Sequence, residues 1–324
     1  MTCLGCYTKV KEGYCLSCRK RLFNGKKVSA ILDFNEPKAD NYIDYQEHSK
    51  HLSISGVQLK YSLRLEDDRL VLTEKNGAYI LKPVPPSKQL IAIEDAPENE
   101  HLTMQIAEQV FKMNTAGNGL VRFKDDGLAY LTKRFDVKAD GSKFLQEDFA
   151  QLLNRTSESH GSTFKYDGSY EEIGRLVKKF VAASAPTLER LFKLIAFNYV
   201  LSNGDAHLKN FSLLRAETNE YQLTPAYDLM STVIHTPQES DTALELYENS
   251  IKSDYYATYG HYGRMEFLEL ANRFGLIEKR AIKILDEFTQ KEILINRMVE
   301  QSLLSNRSKQ DYLKTVADKL MRIS

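Results

Sequence analysis

The 324-residue chain has no excess charge of either sign, because Lys plus Arg and Asp plus Glu both number 44. It therefore lacks the broad positive field that draws proteins onto phosphate backbones, and direct nucleic-acid binding is not expected. No apolar run approaches the ~20 residues of a membrane span, and no basic stretch leads into an apolar signal core. A cytoplasmic location without membrane contact is the expectation. Internal repeats and low-complexity tracts are absent too, which excludes solenoids and repeat arrays. What remains, 42% hydrophobic and 27% charged, has the composition of an ordinary folded protein, and its length suits two lobes, since single cores stop growing near ~250 to 300 residues.

Cysteine is missing everywhere after position 18, and all four residues fall in Cys3-x-x-Cys6 and Cys15-x-x-Cys18. Two such knuckles can set four thiolates tetrahedrally around one Zn²⁺, the closed coordination of a structural site. A pair of redox-active or disulfide-bonded dithiols and four reduced, ligand-free cysteines are the alternatives. A reducing compartment disfavours stable disulfides.

Residues 1–24 form this cysteine element and the polar stretch 25–50 reads as a linker. From His51, alternating residues in "LSISGVQLKYSLRLEDDRLVLTEKNGAYILKPVP" predict three strands, with Asn76-Gly77 as the turn between the last two. Leu102, Ile106, Val110 and Met113 then recur at the spacing of one helix face, with Pro97, Glu98 and Glu100 suited to the first turn. "LAYLTKRFD" predicts another strand, and the chain reads as mostly helical from Gln146. Phe211 to Leu214 and Tyr221 to Leu223 predict a hairpin; residues 235–262 lack a period and read as a long surface loop; helix resumes past Arg264. The fold class is α+β, with a β-rich lobe over 51–136 and a helical lobe over 137–324.

The densest polar stretch is "LSNGDAHLKNFSLL", where Asp205, His207, Lys209 and Asn210 stand between apolar runs. Asp228 lies beyond the predicted hairpin, which folds back beside Asp205 and Asn210. Two carboxylates and an amide so gathered are hard oxygen ligands that suit Mg²⁺ shared with phosphate oxygens. Lys82 ends a strand of the other lobe and can approach from the opposite wall, with Glu98 or Glu100 as its acidic partner. Phosphoryl transfer asks for such a set: a base for the hydroxyl, an Asn and an Asp for metal, and a strand lysine for phosphates. Each residue taken singly has a plainer reading: Asp205 and Asn210 as turn and cap formers, His207 as a hydrogen-bonded loop residue, Lys82 as an exposed strand end. Their order along the chain favours the functional one.

At these residues the sequence resembles the HipA family of bacterial serine/threonine kinases, toxins of HipA/HipB toxin–antitoxin systems. The resemblance runs over about residues 51–320 through "SISGVQLK", "YILKP", "ENEH", "TKRFD", "QED", "NGDAHLKNFSL" and "LTPAYDL". The short N-terminus and "SIS" look closest to the small HipT-like members. It implies a two-lobed, protein-kinase-like fold, with Asp205 as catalytic base, Asn210 and Asp228 on magnesium, and Lys82 on the ATP phosphates. It further implies a phosphate-covering loop at Ser55, Gly56, Val57, Gln58, Leu59 and Lys60, and a hinge to the adenine at Lys133, Arg134 and Phe135. His207, Leu208, Lys209, Asn210, Tyr227 and Asp228 would make further nucleotide contacts, and Ser53 and Ser55 would be autophosphorylated. An aminoacyl-tRNA synthetase substrate and a HipB-like or HipS-like antitoxin are the implied partners. Two departures stand out: the covering loop has the single glycine Gly56, and the cysteine element replaces the region through which larger members meet their antitoxin. A small-molecule phosphotransferase and a nucleotide-binding protein without transfer are the rival readings; intact Asp205, Asn210, Asp228 and Lys82 count against the latter.

Overall fold

The computed structural model describes residues 1–36, 58–75, 77–87, 89–250 and 252–324. Ser53, Ser55, Gly56 and Val57 lie outside them, as does Asn76 of the expected hairpin turn.

Helix α1 (Leu16–Phe23) opens the fold, capped by the Cys15 side chain at its N-terminus and by left-handed Asn24 at its end. Strands β1 (Tyr61–Glu66), β2 (Arg69–Leu72) and β3 (Tyr79–Lys82) follow, then helix α2 (Ala96–Gln105), which runs on as a π-turn over Ile106–Val110. Strands β4 (Asn118–Arg122) and β5 (Leu128–Lys133) complete an antiparallel sheet in the order β2-β1-β3-β5-β4. Strand β4 escaped the sequence reading because "NGLVR" opens on a turn-forming pair and is too short to show a period. The register sets Lys82 opposite Tyr130 at the end of the central strand. Residues 28–34, within the stretch read as linker, run beside β4: Ile31 bridges Arg122, and Val28 and Leu32 are buried.

The cysteine element does not stand apart from this sheet. Cys3, Tyr14, Cys18, Leu22 and Phe23 share one apolar cluster with Leu63, Leu81, Val121 and Leu131. Hydrogen bonds join the two layers, from Tyr14 Oη to the Leu120 carbonyl at 2.6 Å and from Tyr79 Oη to the Leu22 carbonyl at 2.9 Å.

The second half is helical around a small sheet. Strand β6 (Gln146–Asp148) pairs with β7 (Ser212–Arg215), which pairs with β8 (Tyr221–Leu223). Gln146 to Asp148 is thus a strand and not the start of a helix: three polar residues carry no apolar signal, and the backbone ladder with β7 decides their state. Asp148 then caps a single helical turn, Phe149–Leu152. Helix α3 (Tyr170–Phe180) has a capping box from Ser169 and Glu172, acids in its first turn and lysines in its last. Helix α4 (Ser184–Val200) is buried along most of its length, and α5 (Arg264–Arg273), α6 (Glu278–Gln290) and α8 (Asn306–Ile323) pack around it, while α7 (Glu292–Gln301) packs on α6, α8 and the π-turn. The 235–262 stretch is no mere surface loop. It buries Leu244, Leu246, Tyr247 and Tyr262 in the main core and contains the helical turn Asp254–Tyr259. Its residues are held by distant partners, such as the Ser169–Glu245 bridge, so no local period marks them.

Candidate active site

Helix α4 ends at Val200, and the chain turns through Ser202 with φ 54°. Asn203 then locks the loop: its amide nitrogen donates to Asn198 Oδ1 at 2.9 Å, and its oxygen accepts the Asp205 N–H at 3.3 Å. Gly204 makes room for the 239–240 segment, since a Cβ there would lie 2.5 Å from the Ser240 carbonyl oxygen and 2.7 Å from Glu239 Cδ. A 3₁₀ turn over Leu208–Asn210 follows, closed by the His207 N–H donating to Asn210 Oδ1 at 3.1 Å.

Asp228 comes in after β8 in the left-handed region, φ 54°, a conformation that Asp tolerates better than most residues. Its carboxylate accepts from Lys82 Nζ at 2.6 Å and from the Asn210 amide at 3.5 Å, and Lys60 Nζ stands 3.9 Å away. Lys82 also donates to Glu100 at 2.5 Å. Strand β3, helix α2 and the post-β8 turn therefore meet at one ammonium group. Burial works against its charge, but Asp228 and Glu100 outweigh that and raise the Lys82 pKa. Burial likewise pushes Asp228 up, yet Lys82 and Lys60 hold it below the usual carboxylate range. For Glu100 burial prevails and the pKa is raised. Glu98 faces elsewhere, accepting from Tyr7 Oη and the Leu303 N–H.

Asp205 is nearly buried and accepts a 2.5 Å hydrogen bond from Tyr166 Oη. His207 is buried beside it, with Nε2 4.0 Å from Asp205 Oδ1. Burial, with Lys165 nearby, lowers the His207 pKa to about 3, so its imidazole is neutral at physiological pH. Tyr166 carries no motif, and its 39-residue separation from Asp205 left it unseen in the sequence. It lines, with Gly204, Asp205, His235 and Glu239, a cavity of about 630 Å³ opening on Asp205.

The other expected contact residues divide. Gln58 reaches Glu100 at 3.5 Å, and Tyr227 stacks near Phe135 at 5.5 Å while donating to the Lys209 carbonyl. Lys209 and Tyr227 border a cavity of about 410 Å³ beyond β5. Leu208 is buried. The Lys133 side chain donates to Asn24 at 2.7 Å, and Arg134 forms a fork with Asp136.

Glu239 supplies a pH handle. Burial raises it from an ordinary 4.5 to about 7, against the stabilising hydroxyls of Thr232 and Thr236. A carboxyl whose pKa rises on folding contributes stability below its unfolded pKa and loses it as pH climbs through the folded value. Wild-type stability relative to Glu239→Gln is therefore expected to fall between about pH 4.5 and pH 7. Thermal melts of the two proteins across that range check it; parallel curves would contradict it. Glu98, also lifted to about 7 by burial, is common to both and cancels.

In the N-terminal element the four cysteine Sγ atoms lie within 4.8 Å of one another. The Gly5 and Cys15 N–H groups point at Cys3 Sγ, at 3.4 and 3.2 Å, and the Cys18 N–H at Cys15 Sγ at 3.4 Å. Donors aimed at sulfur favour thiolate, the form that ligates metal. The set fits a soft, tetrahedral ion.

Residues 52–293 match the family described as HipA-like C-terminal domain. The chain belongs to this family. A Haemophilus influenzae protein named "Putative kinase" is 27% identical over 283 residues, covering 83% of this chain and 81% of that protein. "Putative kinase Y4dM" of Sinorhizobium fredii is 31% identical over 219 residues, 62% of this chain and 50% of that one. Among solved structures, HipA of Shewanella oneidensis, in a complex with HipB and operator DNA, superposes with a TM-score of 0.60 at 21% identity. It covers 89% of this chain and 71% of its own. The Helicobacter pylori proinflammatory kinase CtkA gives 0.52 at 16%, covering 81% and 93%. These likenesses establish the fold expected from sequence: α+β, kinase-like, with a β-rich part and a helical part. The family match leaves the cysteine element outside its bounds.

Proposed function

We propose that this protein is an ATP- and Mg²⁺-dependent protein serine/threonine kinase that serves as the toxin of a toxin–antitoxin pair. The observation that carries the reading is Lys82, held at 2.5 Å by Glu100 and at 2.6 Å by Asp228, joining the sheet, helix α2 and the helical half at one point. Asp205 takes the proton from the acceptor hydroxyl as its oxygen attacks the γ-phosphorus; a new P–O bond forms, the bond to the β–γ bridging oxygen breaks, and ADP leaves. Lys82 holds nucleotide phosphate and Glu100 holds Lys82. The Asp228 carboxylate and the Asn210 carboxamide, hard oxygen donors side by side, suit Mg²⁺, which when bound offsets phosphate charge. His207, buried and neutral, stands beside Asp205 with Nε2 4.0 Å from Oδ1. The cavity beside Asp205 is where the acceptor segment enters.

The target class is a translation component such as an aminoacyl-tRNA synthetase, as the family resemblance implies, and the antitoxin is HipB-like or HipS-like. The S. oneidensis HipA structure, which holds HipB, supports a protein partner of that kind. No helix among the described residues is long and apolar enough to cross a membrane, in keeping with action in the cytoplasm. Cys3, Cys6, Cys15 and Cys18 hold one Zn²⁺. The decisive experiment is mass spectrometry of the cellular phosphoproteome after induction, with Asp205→Ala as control; a target phosphorylated only by the wild type is expected, and identical phosphoproteomes would remove the kinase reading.

Autophosphorylation at Ser53 or Ser55 is part of the proposal. A phosphate adds about −1.5 to −2 charges next to the segment containing Lys60, and like-charge repulsion disfavours the polyanionic nucleotide. After incubation with ATP and Mg²⁺, wild type is expected to gain phosphopeptides over 53–55 and lose ATP affinity. The Ser53→Ala, Ser55→Ala protein is expected to keep its affinity; unaltered affinity in phosphorylated wild type would refute the self-inhibition.

A further inference from the structure

The cysteine element grips the same helix that presents Glu100. Tyr7, next in sequence to Cys6, is buried with φ 63°, a left-handed conformation rare for a bulky side chain and sustained by the closed loop around it. Its hydroxyl donates to Glu98 Oε1 at 2.8 Å, and its ring lies 5.1 Å from that of His101. The same Glu98 oxygen accepts the Leu303 N–H at 2.7 Å, so this one carboxylate joins the element, α2 and the C-terminal helices. A second grip lies further along: Gln109 donates to the Cys6 carbonyl at 3.2 Å, and Arg21 of α1 pairs with Glu108 and bonds Thr115.

Glu98 and Glu100 are two residues apart on a helix, hence on different faces. One is held from outside by Tyr7 while the other faces inward to Lys82 at 2.5 Å. We propose that the four-cysteine site is a zinc-dependent latch on α2. Metal fixes the Cys3–Cys6 loop, Tyr7 fixes Glu98, and Glu100 is thereby set against Lys82. Tyr7 acts as a positioning residue, through the helix and not on the reacting atoms. The inference rests on the kinase and zinc readings above and adds a link between them. Tyr7 packs in the main core while the loop that carries it joins the sheet's cluster through Cys3 and Tyr14, so closure by metal would fix the loop between the two and hold the Tyr7 hydroxyl on Glu98.

The test uses the full-length protein purified without chelator. Metal analysis is expected to return one zinc per chain. Hydrogen exchange over residues 96–110 is expected to accelerate when zinc is stripped under reducing conditions and to recover when zinc is restored. Because stripping can disturb the shared core, Tyr7→Phe provides the second arm. It keeps the ring and the zinc but removes the bond to Glu98, and it should exchange faster over 96–110, with kcat down about tenfold and KM for ATP little changed. Tyr14→Phe, which loses an equally buried bond in the same element but touches the sheet instead of α2, is the control; its kcat and its exchange over 96–110 should stay as in the wild type. Absence of zinc, unchanged exchange over 96–110 in both stripped protein and Tyr7→Phe, or equal effects of the two tyrosine substitutions would each overturn the latch. If wild type transfers no phosphate at all, the kinase reading falls, and the exchange data still decide the latch.

Discussion

Asp205→Ala is expected to lower phosphoryl transfer by about 10²- to 10⁴-fold, the range for losing a positioned general base, while ATP binding survives. The reason is geometric. Asp205 stands at the mouth of the cavity, bonded to Tyr166, whereas the groups assigned to nucleotide and metal, Lys82, Asp228 and Asn210, are held together by bonds that do not pass through it. The loop that carries Asp205 is fixed by the side chain of Asn203 and by the Gly204 N–H donating to Thr232, so alanine should fit without refolding. Calorimetric titration with ATP and Mg²⁺ should give a wild-type affinity, beside a single-turnover rate that collapses. Asp228→Ala should show the opposite emphasis, with magnesium-dependent nucleotide binding weakened as well as transfer. Equal transfer rates for wild type and Asp205→Ala would take Asp205 out of the mechanism.

Lys82→Met should cost both activity and stability. Glu100 is fully buried and its charge is balanced by this lysine, so removing the partner leaves an uncompensated carboxylate, a loss of about 3–5 kcal/mol for breaking a buried pair. Asp228 is less affected because its side chain is partly exposed and keeps Lys60 nearby. The separation of the two effects is the sharper test. Adding Glu100→Gln removes the buried charge and should restore most of the stability, but not transfer, since no ammonium is left for phosphate. Denaturant melts and transfer assays on the single and double variants check this. A double variant that recovers transfer would show that Lys82 is only a structural counter-ion.

The sequence by itself determined the family, the order of strand lysine, acidic helix, Asp205, Asn210 and Asp228, and the clustering of the four cysteines, because each is written in residue type and short spacing. It left Glu98 and Glu100 as equal candidates. Only the packing of α2 decided between them, since the helix turns successive side chains to different faces and its orientation is set by the sheet on one side and by Tyr7 and Leu303 on the other. Tyr166 and Glu239 joined the site only through the fold, Tyr166 by its bond to Asp205 and Glu239 by lining the same cavity, from segments with no local signature. The Lys133 and Arg134 side chains bond Asn24 and Asp136, partners that sequence spacing did not single out. The short strands β4 and β6 were decided by backbone ladders to β5 and β7. Residues 235–262 were decided by burial against the helices around them. Local sequence sets propensity and chemistry, whereas the pairing of distant segments, each held by many contacts that no single window contains, decides which side chain meets which.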